Sequence, residues 1–131
     1  MDPIFQALQV DLQRTRSRVP AALAGLATVA WNMAWTWLPD GDATFRDMDA
    51  SLWEACGHNP RAMLERLSPR RLTELAADPV FAARSEGLAE RLAEYLQRPL
   101  AAAAEHVRTR GDGRPVAYFC AEFGIHESLP I

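Results

Sequence analysis

The chain has 131 residues, 49% of them apolar by type, which suffices for one domain with a modest core. A formal net charge of −3 excludes the concentrated positive footprint of a nucleic-acid binder, and no apolar run is long enough for a membrane span. All basic residues are Arg; without a Lys there is no Walker-type phosphate loop.

Met1-Asp2-Pro3-Ile4-Phe5 lacks the basic region and apolar core of a secretory signal, and Cys56 and Cys120 are too few for a disulfide framework. Two reduced thiols in the cytoplasm are therefore expected.

Residues 3–17 carry Ile4, Leu8 and Leu12 at four-residue spacing with Val10 off that face, which predicts an amphipathic helix. Arg14, Arg16 and Arg18 read as solvated side chains, with an anchor for a lipid or sugar phosphate as the less favoured alternative.

A second helix is expected from Pro20, which suits a first turn, to Pro39-Asp40-Gly41, which ends it. Leu23, Leu26, Ala27, Ala30, Ala34 and Trp37 keep helical spacing along it, and Gly25 reads as a mild weakness in its interior. Trp31 and Trp35, four apart, should share a face, with Trp37 on another. Three indoles within seven residues invite a sugar-stacking reading, but on an apolar helix they are better read as core. Asn32 either bonds a neighbouring backbone group or faces solvent.

A short helix follows near 49–56, carrying Leu52 and Trp53. Asn59-Pro60, Ser68-Pro69 and Asp78-Pro79 then each put a capping residue before a proline suited to the first helical position. They predict helices over 60–66, 69–77 and 79–97, with Met63, Leu64, Leu67, Leu72 and Leu75 facing inward. His58 reads as a capping or exposed imidazole rather than a ligand, since no Cys or second His stands at metal spacing. In the last helix Phe81, Leu88, Leu92, Tyr95 and Leu96 form the apolar stripe, while Glu86, Glu90 and Glu94 line a solvated face. Arg98-Pro99 breaks it, and helix is expected again from Leu100 to Arg110, up to the turn Gly111-Asp112-Gly113.

Val116-Ala117-Tyr118-Phe119-Cys120 is a continuous apolar run of the kind buried on both faces in a parallel sheet. Glu122, His126 and Glu127 gather after it around Gly124, and the C-terminal ends of such strands are where open α/β sheets bind ligands. Two carboxylates suit acid–base work in glycoside cleavage, and an imidazole exchanges protons near neutral pH. Equally, Glu122 caps a following helix or pairs with an Arg.

Ala117 to Ile131, reading AYFCAEFGIHESLPI, resembles the first core strand and following loop of the bacterial α-glucan (glycogen/maltodextrin) phosphorylases. In that family the segment leads into a Tyr-Ser-Gly-Gly-Leu-Gly loop at the active site. Upstream, Val19-Pro20, Leu23, Leu26, Ala27, Asn32, Trp35-Thr36-Trp37, Phe45, Leu52-Trp53 and Gly57-His58-Asn59-Pro60 are similar to the helical region ahead of the catalytic core. Family members read Asn-Leu-Trp-Trp-Ser-Trp there, and Ala34 departs from that pattern.

The resemblance implies a mainly α chain: a helical extension over 1–18, a helical domain over 19–110, and at 116–131 the first strand and loop of an α/β core of Rossmann-like, GT-B type. It implies phosphorolysis of α-1,4-glucan to glucose 1-phosphate, with Glu122 and His126 near substrate, and α-glucan and orthophosphate as partners. A homo-oligomer is open. The family's pyridoxal 5'-phosphate is held through a Lys, which this chain lacks, so the isolated chain is expected to be inactive. The alternatives are a free-standing helical module whose apolar strand pairs with a partner's sheet edge, and a small carbohydrate-binding domain using the tryptophans.

Overall fold

The computed structural model describes residues 3–98, and these form helices α1 (Pro3–Arg18), α2 (Ala24–Ala30), α3 (Gly41–Met48), α4 (Ala50–Ala55), α5 (Pro60–Arg66), α6 (Pro69–Ala77) and α7 (Pro79–Gln97). Two 3₁₀ turns, Ala21–Leu23 and Met33–Thr36, flank α2. The described part is thus mainly α, as expected. The expected helix over 100–110 and the strand over 116–120 lie outside the described residues.

The three proline corners form as the sequence predicts. Asn59 Oδ1 accepts from the backbone N–H groups of Arg61 and Ala62, both at 3.1 Å, Ser68 Oγ from Arg71 N at 3.2 Å, and Asp78 Oδ1 from Val80 N at 2.9 Å. Each following proline occupies the first turn, where a missing N–H costs no bond. Met63, Leu64, Leu67, Leu72 and Leu75 are all buried.

The single helix expected from Pro20 to Pro39 is not formed. Asn32 is the physical reason. It adopts an extended backbone (φ −129°, ψ 127°), and its side chain accepts from Ala34 N at 2.9 Å, starting a new 3₁₀ turn. A short polar side chain that bonds the backbone locally competes with helix continuation. The break turns Trp31 and Trp35 toward different neighbours, so they do not share a face.

A helix that the sequence reading passed over, α3, follows directly. Asp40 takes the left-handed conformation (φ 64°), and Gly41 begins the helix pressed against the backbone of Trp35. Between α3 and α4, Asp49 is extended, and its Oδ1 accepts from Leu52 N at 2.9 Å.

At the centre lies α2, whose Leu26, Ala27, Val29 and Ala30 are buried and which packs on α1, α5 and α7. Gly25 is the close-approach point against α7, for a Cβ there would meet Ala89 Cβ at 2.6 Å. It is therefore a packing requirement rather than a weak spot. Beside α2, Trp35, Phe45 and Trp53 form a buried aromatic cluster: Phe45 stacks on Trp53 at 5.8 Å, and Trp35 meets both edge-on.

Arginines tie helix ends together. Arg18 Nε and Nη2 donate to the carbonyls of Leu64 (3.1 Å) and Leu67 (2.9 Å) at the end of α5, and Arg71 Nε donates to Met48 O (2.9 Å) at the end of α3. These bonds satisfy terminal carbonyls that the helices leave open. Arg18 is thus a structural clamp and not merely a solvated cation. In α7, Phe81, Leu88 and Leu92 are buried, but Tyr95 and Leu96 leave the expected stripe and are 40% and 60% exposed.

Candidate functional site

Glu122 and His126, the site residues expected from sequence, lie outside the described residues, as does Glu127. What the described helices present to solvent is a different set of groups. No three His, Cys, Asp or Glu side chains among them stand close enough to hold a metal ion. His58 stacks on Trp53 at 5.3 Å and places Nε2 3.1 Å from Glu54 Oε1. Its imidazole thus covers the aromatic cluster at a left-handed corner (φ 58°) formed with Gly57 (φ 60°).

The tryptophans divide by role. Trp35 is core, as the preferred sequence reading had it, and so is Trp53. Trp31 is half-buried beneath the Arg61 guanidinium, 4.5 Å from its ring, and its indole N–H donates to Thr15 Oγ1 at 3.4 Å. A polar groove of Asp11, Arg14, Asn59, Arg61 and Glu65 surrounds it, and its charges balance.

Trp37 stands apart at 57% exposure, meeting Tyr95 of α7 edge-on with ring centres 6.0 Å apart and planes inclined by 63°. One helical turn before Tyr95, Arg91 Nη2 donates to Pro39 O at 3.2 Å and lies 3.7 Å from Asp40 Oδ2. Sequence reasoning put Trp37 on a different face from the other indoles but read all three as core and placed Tyr95 in the core stripe, whereas both Trp37 and Tyr95 are exposed. Their pairing arises only when α7 packs beside the second 3₁₀ turn. On another face, Arg70 donates to Glu74 at 2.9 Å and, with Arg71, holds that carboxyl below the usual glutamate range.

Residues 19–129, most of the chain, match the model of a family described as a protein of unknown function (DUF3417). The chain belongs to this family. The match covers α2 to α7 and runs on through the positions of Glu122 and His126. The DUF3417 chain is 38% identical over 122 residues to the glycogen phosphorylase of Mycobacterium tuberculosis, covering 88% of this chain and 14% of that protein. It is 27% identical over 124 residues to the maltodextrin phosphorylase of Thermococcus litoralis, with 95% and 15% covered. Against the glycogen phosphorylase of Aquifex aeolicus the identity is 26% over 108 residues, with 82% and 14% covered. The chain thus spans about one seventh of the length of these relatives. No solved structure gives a significant match. The relatives bear out the resemblance to the N-terminal region of α-glucan phosphorylases.

Proposed function

We propose that this chain is the N-terminal portion of an α-glucan phosphorylase, which in full length cleaves α-1,4-glucan with orthophosphate. A phosphate oxygen bonds to C1 of the terminal glucose as the C1–O4 bond breaks, giving glucose 1-phosphate and a shorter glucan. The observation that carries the reading is the 38% identity across 88% of this chain to a glycogen phosphorylase. The maltodextrin phosphorylase match supports the same substrate class.

In this reading residues 1–18 are a helical extension, 19–110 a helical domain, and 116–131 the first strand and loop of a GT-B-type α/β core. Glu122 and His126 contact substrate from that loop. The helical layer covers the core and does no chemistry. A buried aromatic cluster and arginine-bridged helix ends suit support rather than proton transfer.

Pyridoxal phosphate held through a lysine does not fit the residues present, because the chain contains no Lys. The remainder of the full-length enzyme must supply that lysine and the basic residues around the phosphates. The enzyme is read as cytoplasmic. Among the described residues no helix is long and apolar enough to cross a membrane.

The experiment measures glucose 1-phosphate released from maltodextrin and orthophosphate. The 131-residue chain should be silent and the full-length protein active. Turnover by the short chain would refute the division of labour, and silence of the full-length protein would refute the activity.

A further inference from the structure

We propose that the face of α7 carrying Ala82, Ala89, Ala93 and Leu96 is the docking site of this chain's own segment 100–110, which folds back along it as the second arm of a helical hairpin. At the start of α7 this face is one wall of a groove, and Ala21, Ala22 and Gly25 form the other. Past Ala89, steps of four and three residues carry it through Ala93 to Leu96, near the end of the helix. The core stops at Leu92, so Ala93 is exposed and Leu96 is 60% exposed. Along one edge stand Glu86, Glu90 and Glu94. All three are exposed, and none has a cationic partner among the described residues.

The chain supplies a cover that matches this face. Arg98 leaves the helical backbone (ψ 136°), and Pro99 cannot continue α7. A two-residue corner of this kind joins antiparallel helices. Beyond it, Leu100, Ala104 and Val107 repeat the apolar steps of four and three residues. As a helix the segment is about 16 Å long, which is the stretch of α7 from Gly87 to Gln97. Folding at Arg98-Pro99 sets Ala104 level with Ala93 and Val107 level with Glu90. Arg108 then falls on the edge beside Glu86 and Glu90 and supplies the cation they lack. Small side chains on both arms let the backbones come close, as α2 and α7 already do at Gly25 and Ala89. The short tether also holds the segment at a local concentration that a second copy in solution does not match.

The test labels single thiols in the intact 131-residue chain, carrying Cys120→Ser so that the only other thiol is the buried Cys56. Ala93→Cys should react with dithionitrobenzoate at least about tenfold more slowly than Val80→Cys, a position 77% exposed on the other side of α7. Val107→Asp places a charge on the docked side and should abolish that protection. Glu90→Arg and Arg108→Glu should each weaken it, and the two together should restore it. In Ala93→Cys/Ala104→Cys, oxidation should join the two thiols within one chain. Circular dichroism melts confirm that each variant is folded.

Equal labelling of Ala93→Cys and Val80→Cys would overturn the proposal. So would protection that fades on dilution, or a cross-link between two chains, because the occupant would then be a second copy. Protection that survives Val107→Asp would also overturn it, since a different segment would then lie on the face.

Discussion

Replacing Gly41 by alanine sets two effects of opposite sign against each other. Removing a glycine restricts the unfolded chain and favours helix, which ordinarily stabilises a protein by about 0.4–1 kcal/mol. Here the added Cβ would sit 1.9 Å from the Trp35 carbonyl oxygen and 2.8 Å from its carbon. That is about 1.5 Å short of ordinary contact. Both clashing atoms are backbone, so no rotamer relieves them. Either α3 or the 3₁₀ turn must retreat, and each carries part of the Trp35–Phe45–Trp53 cluster.

Overpacking of this kind costs roughly 1–3 kcal/mol and is at the upper end where backbone moves. The net expectation for Gly41→Ala is a loss of about 2 kcal/mol, read by urea denaturation, and a Tm lowered by roughly 8–16 °C. Gly87→Ala is the matched control. It lies inside α7, where a Cβ would meet only the flexible tip of Arg91 at 3.4 Å. It should gain about 0.5–1 kcal/mol. If Gly41→Ala unfolds within about 0.5 kcal/mol of wild type, the close-approach argument is wrong.

Gly25→Val should destabilise by about 1–3 kcal/mol in the same denaturation assay, since α2 cannot approach α7 with a branched side chain facing Ala89. Asn59→Ala removes a buried cap that accepts two backbone N–H bonds and should cost about 1 kcal/mol, whereas Asn59→Asp should largely preserve the melt. Glu74 should titrate below the ordinary glutamate range by NMR, and Arg70→Ala, which deletes the main hydrogen bond, should raise its midpoint. Because the folded-state value is the lowered one, its contribution to stability is present above the ordinary carboxylate range. It is lost as pH falls through the lowered value, so Glu74→Gln should flatten the acid side of a stability–pH curve.

Where local chemistry decides structure, the sequence was readable. Asn59, Ser68 and Asp78 act through bonds to residues two or three positions away, and the helices they start match their expected spans. Where a local signal opposed a periodic one, periodicity misled. The apolar spacing from Pro20 to Trp37 runs straight through Asn32, yet the capping bond to Ala34 wins and divides the segment. Helix α3 was hidden because Asp40 and Gly41 read as a terminator, whereas Gly41 is small to fit against Trp35. Tyr95 has helical spacing with Leu88 and Leu92, but α7 outruns the core before reaching it. Glu122 and His126 follow from motif alone. The Trp37–Tyr95 pair joins residues far apart in the chain, which no spacing rule links.

The meeting of α7 with α2 has a consequence for biosynthesis. The central helix is made early, and its principal neighbour is the last helix of the described domain. The face of α2 that packs on α7 therefore stays uncovered until α7 has emerged from the ribosome. A translation product interrupted before α7 would carry an open apolar seam and should go to chaperones or proteases rather than persist as a smaller folded protein.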